Sequence, residues 1–166
     1  MNNRFLGTGV ALVTPFKADL SIDHEALAHI VDFNIDGGIE YLVICGTTGE
    51  SVTLTKQEKK DVVATIYKAN NGRVPMVLGI GGNNTIQVVE EIKATDLSEI
   101  DAILSVAPYY SKPTQEGIYQ HYSYLAKNIS KPIIMYNVPG RTSKNIIPNT
   151  ILRLANEFEL IIGVKE

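Results

Sequence analysis

Tryptophan is absent from the 166 residues and cysteine occurs once. No apolar run is long enough to span a bilayer, so a membrane protein of the helical kind is not expected. Cys45 has no partner for an internal disulfide, which excludes a disulfide-stapled scaffold and suits a reducing compartment. The glycosylation sequons at Asn83 and Asn128 then carry no functional meaning. The N-terminal Met1-Asn2-Asn3-Arg4 leads into a glycine-bearing segment, so no secretory signal is read there and a cytoplasmic location is expected. Charge of one sign is also lacking. Fifteen Lys+Arg face eighteen Asp+Glu, for a net charge of -3, with no basic run. A chain of that kind has no electrostatic footprint for a phosphate backbone, and neither nucleic acid nor membrane is an expected partner.

What is present is a repeat of structure. Short apolar, β-branched runs begin near Val10, Tyr41, Val74, Ala102, Ile133 and Ile161, spaced by about 30 residues, the length of one strand–helix unit with its loops. Continuous apolar strands such as Tyr41-Leu42-Val43-Ile44-Cys45 suit a parallel sheet covered by helices. Between them lie helix signals. Ala26, Leu27, Ile30, Val31 and Phe33 form an apolar stripe in a helix expected over 22–36 and stopped by Gly37-Gly38. Thr55-Lys56-Gln57-Glu58 is a capping box, and Asn84-Thr85-Ile86-Gln87 is a similar start. Pro113-Thr114 precedes a helix through Tyr124, and Pro148 fits the first turn of a helix through Ala155. No linker or low-complexity tract interrupts the series, so residues 1–166 read as a single domain.

Two α/β architectures accommodate six such units: a doubly wound open sheet, or a (β/α)8 TIM barrel of which about six units are present. Both put function at the C-terminal ends of the strands. The nearest approach to a dinucleotide-binding turn, Gly79-Ile80-Gly81-Gly82-Asn83-Asn84, has Asn84 where the third glycine belongs, and the dinucleotide reading fails there. The barrel needs roughly 200 residues or more, so on that reading the chain is incomplete.

The strand ends carry the chemistry. Gly46-Thr47-Thr48-Gly49-Glu50-Ser51 follows the second strand, a glycine-flanked turn able to offer N–H groups and hydroxyls to a carboxylate or phosphate. Alone it would be an ordinary strand-to-helix connection. The fourth strand ends in Ala107-Pro108-Tyr109-Tyr110, and the fifth in Met135-Tyr136-Asn137-Val138-Pro139-Gly140-Arg141-Thr142. The sixth, Leu160 to Val164, delivers Lys165 to the same rim. Desolvation of a lysine there would favour the neutral amine, which attacks a ketone to form a Schiff base. His24, His29 and His121 show no metal-ligand spacing, and no metal site is expected.

Taken together, Gly-Thr-Thr-Gly-Glu-Ser, Pro-Tyr-Tyr, Tyr-Asn-Val-Pro-Gly-Arg-Thr and Gly-Val-Lys-Glu stand in an order and spacing that resembles the pyruvate-dependent class I aldolase family of the dihydrodipicolinate synthases and N-acetylneuraminate lyase. The resemblance runs from Gly9-Val10-Ala11-Leu12-Val13-Thr14-Pro15-Phe16 to the last residues, and Arg141 favours the synthase branch. It implies condensation of pyruvate with L-aspartate 4-semialdehyde to 4-hydroxy-tetrahydrodipicolinate, on the lysine and diaminopimelate route. By the same resemblance Lys165 is the Schiff-base nucleophile, and Thr47 and Thr48 hold pyruvate's carboxylate. Tyr136 moves protons, relayed through Thr47 to Tyr110, and Arg141 orients the aldehyde. No cofactor is implied, and Tyr110 reaching into a neighbouring subunit implies a homodimer within a homotetramer. The family continues past its lysine strand with two more βα units and a helical extension, so the chain is expected to be truncated after Glu166. The alternatives are a related sugar-acid lyase or aldolase, against which Arg141 argues, and an inactive fragment. Feedback-inhibited members bind lysine through segments matching 51–59 and 83–87, often with histidine at Lys56 and glutamate at Gln87. Weak lysine inhibition is expected here, although Asn83 and Tyr109 are kept.

Overall fold

The structure, a computed structural model, describes residues 3–166. Met1 and Asn2, on which part of the N-terminal reading rests, lie outside the described residues. Two compact units make up the chain, one ending at Gly79 and the other running from Ile80 to Glu166.

The first unit holds a 3-10 turn at Asn3–Phe5, then strand β1 (Gly9–Ala11), helix α1 (His24–Asp36), strand β2 (Tyr41–Ile44), helix α2 (Lys56–Asn70) and strand β3 (Met76–Gly79). The strands are parallel in the order β1-β2-β3, with Val10 opposite Leu42 and Val43 opposite Val77. Leu42, Ile44 and Val77 are fully buried, which is why these strands carry no polar alternation. Helix α1 packs on α2, and its buried residues are Leu27 and Val31. Each such side chain taken out of water contributes on the order of 2 kcal/mol.

Helix α1 begins two residues later than the sequence pattern suggests. Ile22 pairs with Phe16 in an isolated antiparallel bridge, and Asp23 is the N-cap, its carboxylate accepting from the Ala26 N–H. Phe33 is also corrected: it is 79% exposed and does not belong to the buried stripe. The third strand starts at Met76 rather than near Val74. The side-chain amide of Asn70 engages both the N–H and the C=O of Val74, and Pro75 has no N–H to give to a ladder. The capping box at α2 forms as read, with the Thr55 hydroxyl accepting from the Glu58 N–H and the Glu58 carboxylate accepting from the Thr55 N–H.

The second unit runs helix α3 (Thr85–Ala94), strand β4 (Ala102–Val106), helix α4 (Gln115–Asn128), strand β5 (Ile133–Tyr136), a short helix α5 (Pro139–Thr142), helix α6 (Pro148–Glu157) and strand β6 (Ile161–Lys165). Its strands are parallel in the order β4-β5-β6. Helix α4 packs against α3 and α6. Asn84 and Thr114 cap α3 and α4 through their side chains, and Pro148 opens α6. Helix α4 continues past Tyr124 to Asn128, and α6 past Ala155 to Glu157.

Candidate active site

The top of β5 and β6 is where a lysine and a tyrosine meet. Ile133 stands opposite Ile161, but Ile134 stands opposite Gly163, so Ile162 is an extra residue in β6. Beyond that bulge Met135 faces Val164, and Tyr136 is in register with Lys165. Residues in register on neighbouring strands share a face of the sheet. The Lys165 Nζ accordingly lies 4.7 Å from the centroid of the Tyr136 ring. Simple alternation from the buried Ile161 puts Lys165 on the same side as Ile161; the bulge re-aims it to the side of Tyr136.

The backbone at this level is tied across all three strands. The Ala107 N–H donates to the Tyr136 carbonyl at 3.0 Å, and the Asn137 N–H donates to the Lys165 carbonyl at 2.9 Å. Beneath it, the buried Tyr122 hydroxyl donates to the Ser105 carbonyl at 2.8 Å, and burial pushes that phenol well above its ordinary pKa. Lys165 and Tyr136 are half-buried, so a small molecule reaches them without the fold opening.

Arg141 lies on α5, the short helix that follows β5. It is exposed and makes no ion pair with any described residue. The sequence read this segment as a loop; Pro139 at the first turn and the Val138 carbonyl, accepting from the Arg141 and Thr142 N–H groups, make it a helical turn instead. Tyr110 is 88% exposed with φ +71°, a left-handed conformation that costs a bulky residue on the order of 1 kcal/mol. Tyr109 is also exposed.

In the first unit, Thr47 and Thr48 occupy the turn after β2. The Gly49 N–H donates to the Gly46 carbonyl at 3.2 Å, and the Glu50 N–H donates to the Thr47 carbonyl at 3.1 Å. The Thr14 hydroxyl donates to the Gly49 carbonyl at 2.7 Å and anchors the turn to the segment after β1. Both threonine side chains are exposed. Cys45 begins this turn with φ +53°, and its buried thiol is pushed up to about 11, so it is not an active nucleophile. Among the described residues no cluster of His, Cys, Asp and Glu suits a metal ion.

A residue that sequence reasoning passed over is Asn137. It is buried, and its Nδ2 donates to Asn145 Oδ1 at 2.7 Å and to Glu166 Oε1 at 3.0 Å. Its Oδ1 accepts from the Ile146 N–H at 3.0 Å. Only its neighbour in the Tyr-Asn dipeptide gave a signal in the sequence, because an amide among apolar residues has no periodicity to reveal it.

The model of the dihydrodipicolinate synthetase family matches residues 4–166. A 4-hydroxy-tetrahydrodipicolinate synthase of Flavobacterium psychrophilum is 62% identical over 162 residues, covering 98% of this chain and 55% of the relative. Among solved structures, a chloride-inhibited dihydrodipicolinate synthase from Acinetobacter baumannii, complexed with pyruvate, matches at TM-score 0.91 and 43% identity. It covers 96% of this chain and 54% of that one. A monomeric dihydrodipicolinate synthase variant matches at TM-score 0.94 and 38% identity, over 99% of this chain and 54% of its own. The chain therefore spans about half the length of the curated relatives it matches. Its fold class is α/β, with six parallel strands and the helices between them, matching about half of the length of (β/α)8-barrel synthases.

Proposed function

The chain belongs to the dihydrodipicolinate synthetase family, and from that premise we propose that it supplies the catalytic lysine of a lyase that condenses pyruvate with L-aspartate 4-semialdehyde. The product is 4-hydroxy-tetrahydrodipicolinate, on the route to diaminopimelate and lysine. The observation that carries the reading is the in-register pair of Lys165 and Tyr136, with Nζ 4.7 Å from the ring centroid.

In this reading the neutral Lys165 amine attacks C2 of pyruvate, and loss of water leaves an imine. Removal of a C3 proton converts the imine to an enamine, whose C3 then bonds to the aldehyde carbon of the second substrate, and attack of that substrate's amino group on the imine carbon closes the ring and releases the Lys165 amine. The lysine imine is the electron sink, so the chemistry calls for no metal or organic cofactor. Tyr136, beside the amine, is the group that moves protons on and off the reacting atoms. Thr47 and Thr48 take pyruvate's carboxylate, Thr47 relays protons towards Tyr110, and Arg141 meets the carboxylate of the aldehyde. The exposure of Arg141 and of the threonine side chains supports roles that need a free donor. The same proposal takes residues 1–166 as a single partial barrel domain.

The exposed Tyr110 belongs in this proposal to a homodimer or homotetramer, where it serves a neighbouring copy's site. One of the matched structures is described as a monomeric dihydrodipicolinate synthase variant. Among the described residues no helix is long and apolar enough to cross a membrane. A location in the cytoplasm is part of the same reading.

The test is reductive trapping. Incubation with pyruvate followed by borohydride is expected to add the reduced pyruvyl group to the peptide carrying Lys165, read by mass spectrometry, and Lys165→Ala is expected to abolish it. A folded protein that gains no adduct, or gains it at another lysine, ends the aldolase reading.

A further inference from the structure

A buried amide whose two N–H donors and carbonyl oxygen are all engaged, linking three chain segments, is rarely incidental. Asn137 is such a group. Its side chain joins the end of β5 to Asn145 and Ile146 ahead of α6, and to Glu166 immediately after Lys165. Its backbone N–H holds the carbonyl of Lys165 itself. Residues 137 and 146 bracket the segment that bears α5 and Arg141. The side chain that closes this segment is thus the same one that holds Glu166, the residue following β6.

We propose that Asn137 is a positioning residue, which sets both the Lys165 amine and the Arg141-bearing segment through the bonds from its Nδ2 to Glu166 and Asn145. This deepens the proposed function and rests on it for the identity of the nucleophile. Asn137 touches neither substrate nor Nζ; it acts by holding the backbone on either side of the lysine. The polarity of the bonds is set by the chemistry of the groups. Glu166 as a carboxylate only accepts, so residue 137 must donate to it, and the Ile146 N–H only donates, so residue 137 must accept from it. An amide is the side chain of this size that does both.

That polarity supplies the test. Asn137→Asp keeps size and the bond from Ile146 but turns the donor toward Glu166 into an acceptor, carboxylate against carboxylate. Trapping of pyruvate on Lys165 is expected to slow by about 100-fold, the penalty of a misplaced reacting group. Glu166→Gln alone keeps an acceptor for Asn137 and is expected to trap at close to the parent rate. The double variant Asn137→Asp/Glu166→Gln restores a donor–acceptor pair of reversed polarity, and its trapping rate is expected to recover at least tenfold over the single Asp variant, an order-of-magnitude expectation for restored orientation. A general loss of packing would not be repaired by the second substitution. In the single Asp variant the loss relative to the parent is also expected to shrink as the pH is lowered, since a protonated carboxyl donates again.

Amide hydrogen exchange reads the same clamp without any reaction. Asn137→Asp is expected to raise exchange at the N–H of residue 137, which holds the Lys165 carbonyl, and the double variant to lower it again. Unchanged exchange in the single variant, or a double variant that stays as slow in trapping as the single one, overturns the proposal. If the parent protein traps no pyruvate, the aldolase reading falls while exchange still decides whether Asn137 holds the two segments.

Discussion

His121 is buried in α4, with Nδ1 2.8 Å from the Thr85 hydroxyl, while Nε2 is buried without a hydrogen-bond partner among the described residues. Burial drives its pKa down to about 4, because the charged imidazolium would lose its water. An unfolded chain takes up that proton near 6.5, whereas the folded one does so only near 4. Folding stability is therefore complete above pH 6.5 and falls as the pH drops toward 4, by roughly 3 kcal/mol from this residue. The carboxylates held low by hydrogen bonds, Asp19, Glu58, Asp96 and Glu116, act in a lower window. Urea unfolding at pH 7 and pH 5 is expected to show a fall in midpoint that His121→Gln removes, since glutamine keeps an amide for Thr85 and does not titrate. An equal fall in the variant would assign the acid sensitivity elsewhere.

Glycine matters at the level of the strand in one place above all. An added Cβ at Gly79 would lie 2.3 Å from the Cys45 carbonyl oxygen and 3.2 Å from the Gly46 nitrogen, both backbone atoms at the top of β2. Neither can rotate away. Gly79→Ala is expected to destabilise the protein by about 2 kcal/mol, within the overpacking range, and to displace the turn that carries Thr47 and Thr48. Thermal unfolding checks the first effect; the second appears as a raised KM for pyruvate beyond any loss of kcat. The sequence showed a glycine-rich stretch here but gave no reason for it, because the reason is the approach of a neighbouring strand. The same limit explains the other departures. The β-branched run at Val74 looked like strand, yet an asparagine side chain and a proline claim its backbone. The face on which Lys165 stands was not legible either, because the bulge at Ile162 is a matter of register, and register exists only between two strands. What was legible is what local chemistry decides: the cap at Thr55, the apolar strands, and the four motifs that end them. Asn137 was illegible because its partners, Asn145 and Glu166, are brought to it by the fold.

At the scale of the whole molecule, regulation is the property that the departures from the family pattern bear on. Lysine as an effector carries an ammonium that needs a carboxylate, and by the family resemblance inhibited members often have a glutamate where this chain has Gln87. The amide is exposed on the first turns of α3 and offers a neutral oxygen only, so the ion pair is replaced by an ordinary hydrogen bond. Lys56, the first residue of α2, adds a cation where a neutral imidazole often stands, and like charge opposes the effector's ammonium. A charge-assisted bond is worth roughly 1 kcal/mol more than a neutral one, and a repelled cation costs more again. Together these predict an apparent inhibition constant for lysine raised by about 100-fold or more over a member with the usual pair, each 1.4 kcal/mol being tenfold. Initial rates in saturating pyruvate with rising lysine measure it directly. Gln87→Glu is expected to recover part of the inhibition and Lys56→His/Gln87→Glu more of it, without change in the uninhibited rate. Strong inhibition of the parent by lysine would show that Asn83 and Tyr109, which this chain retains, are enough to hold the effector.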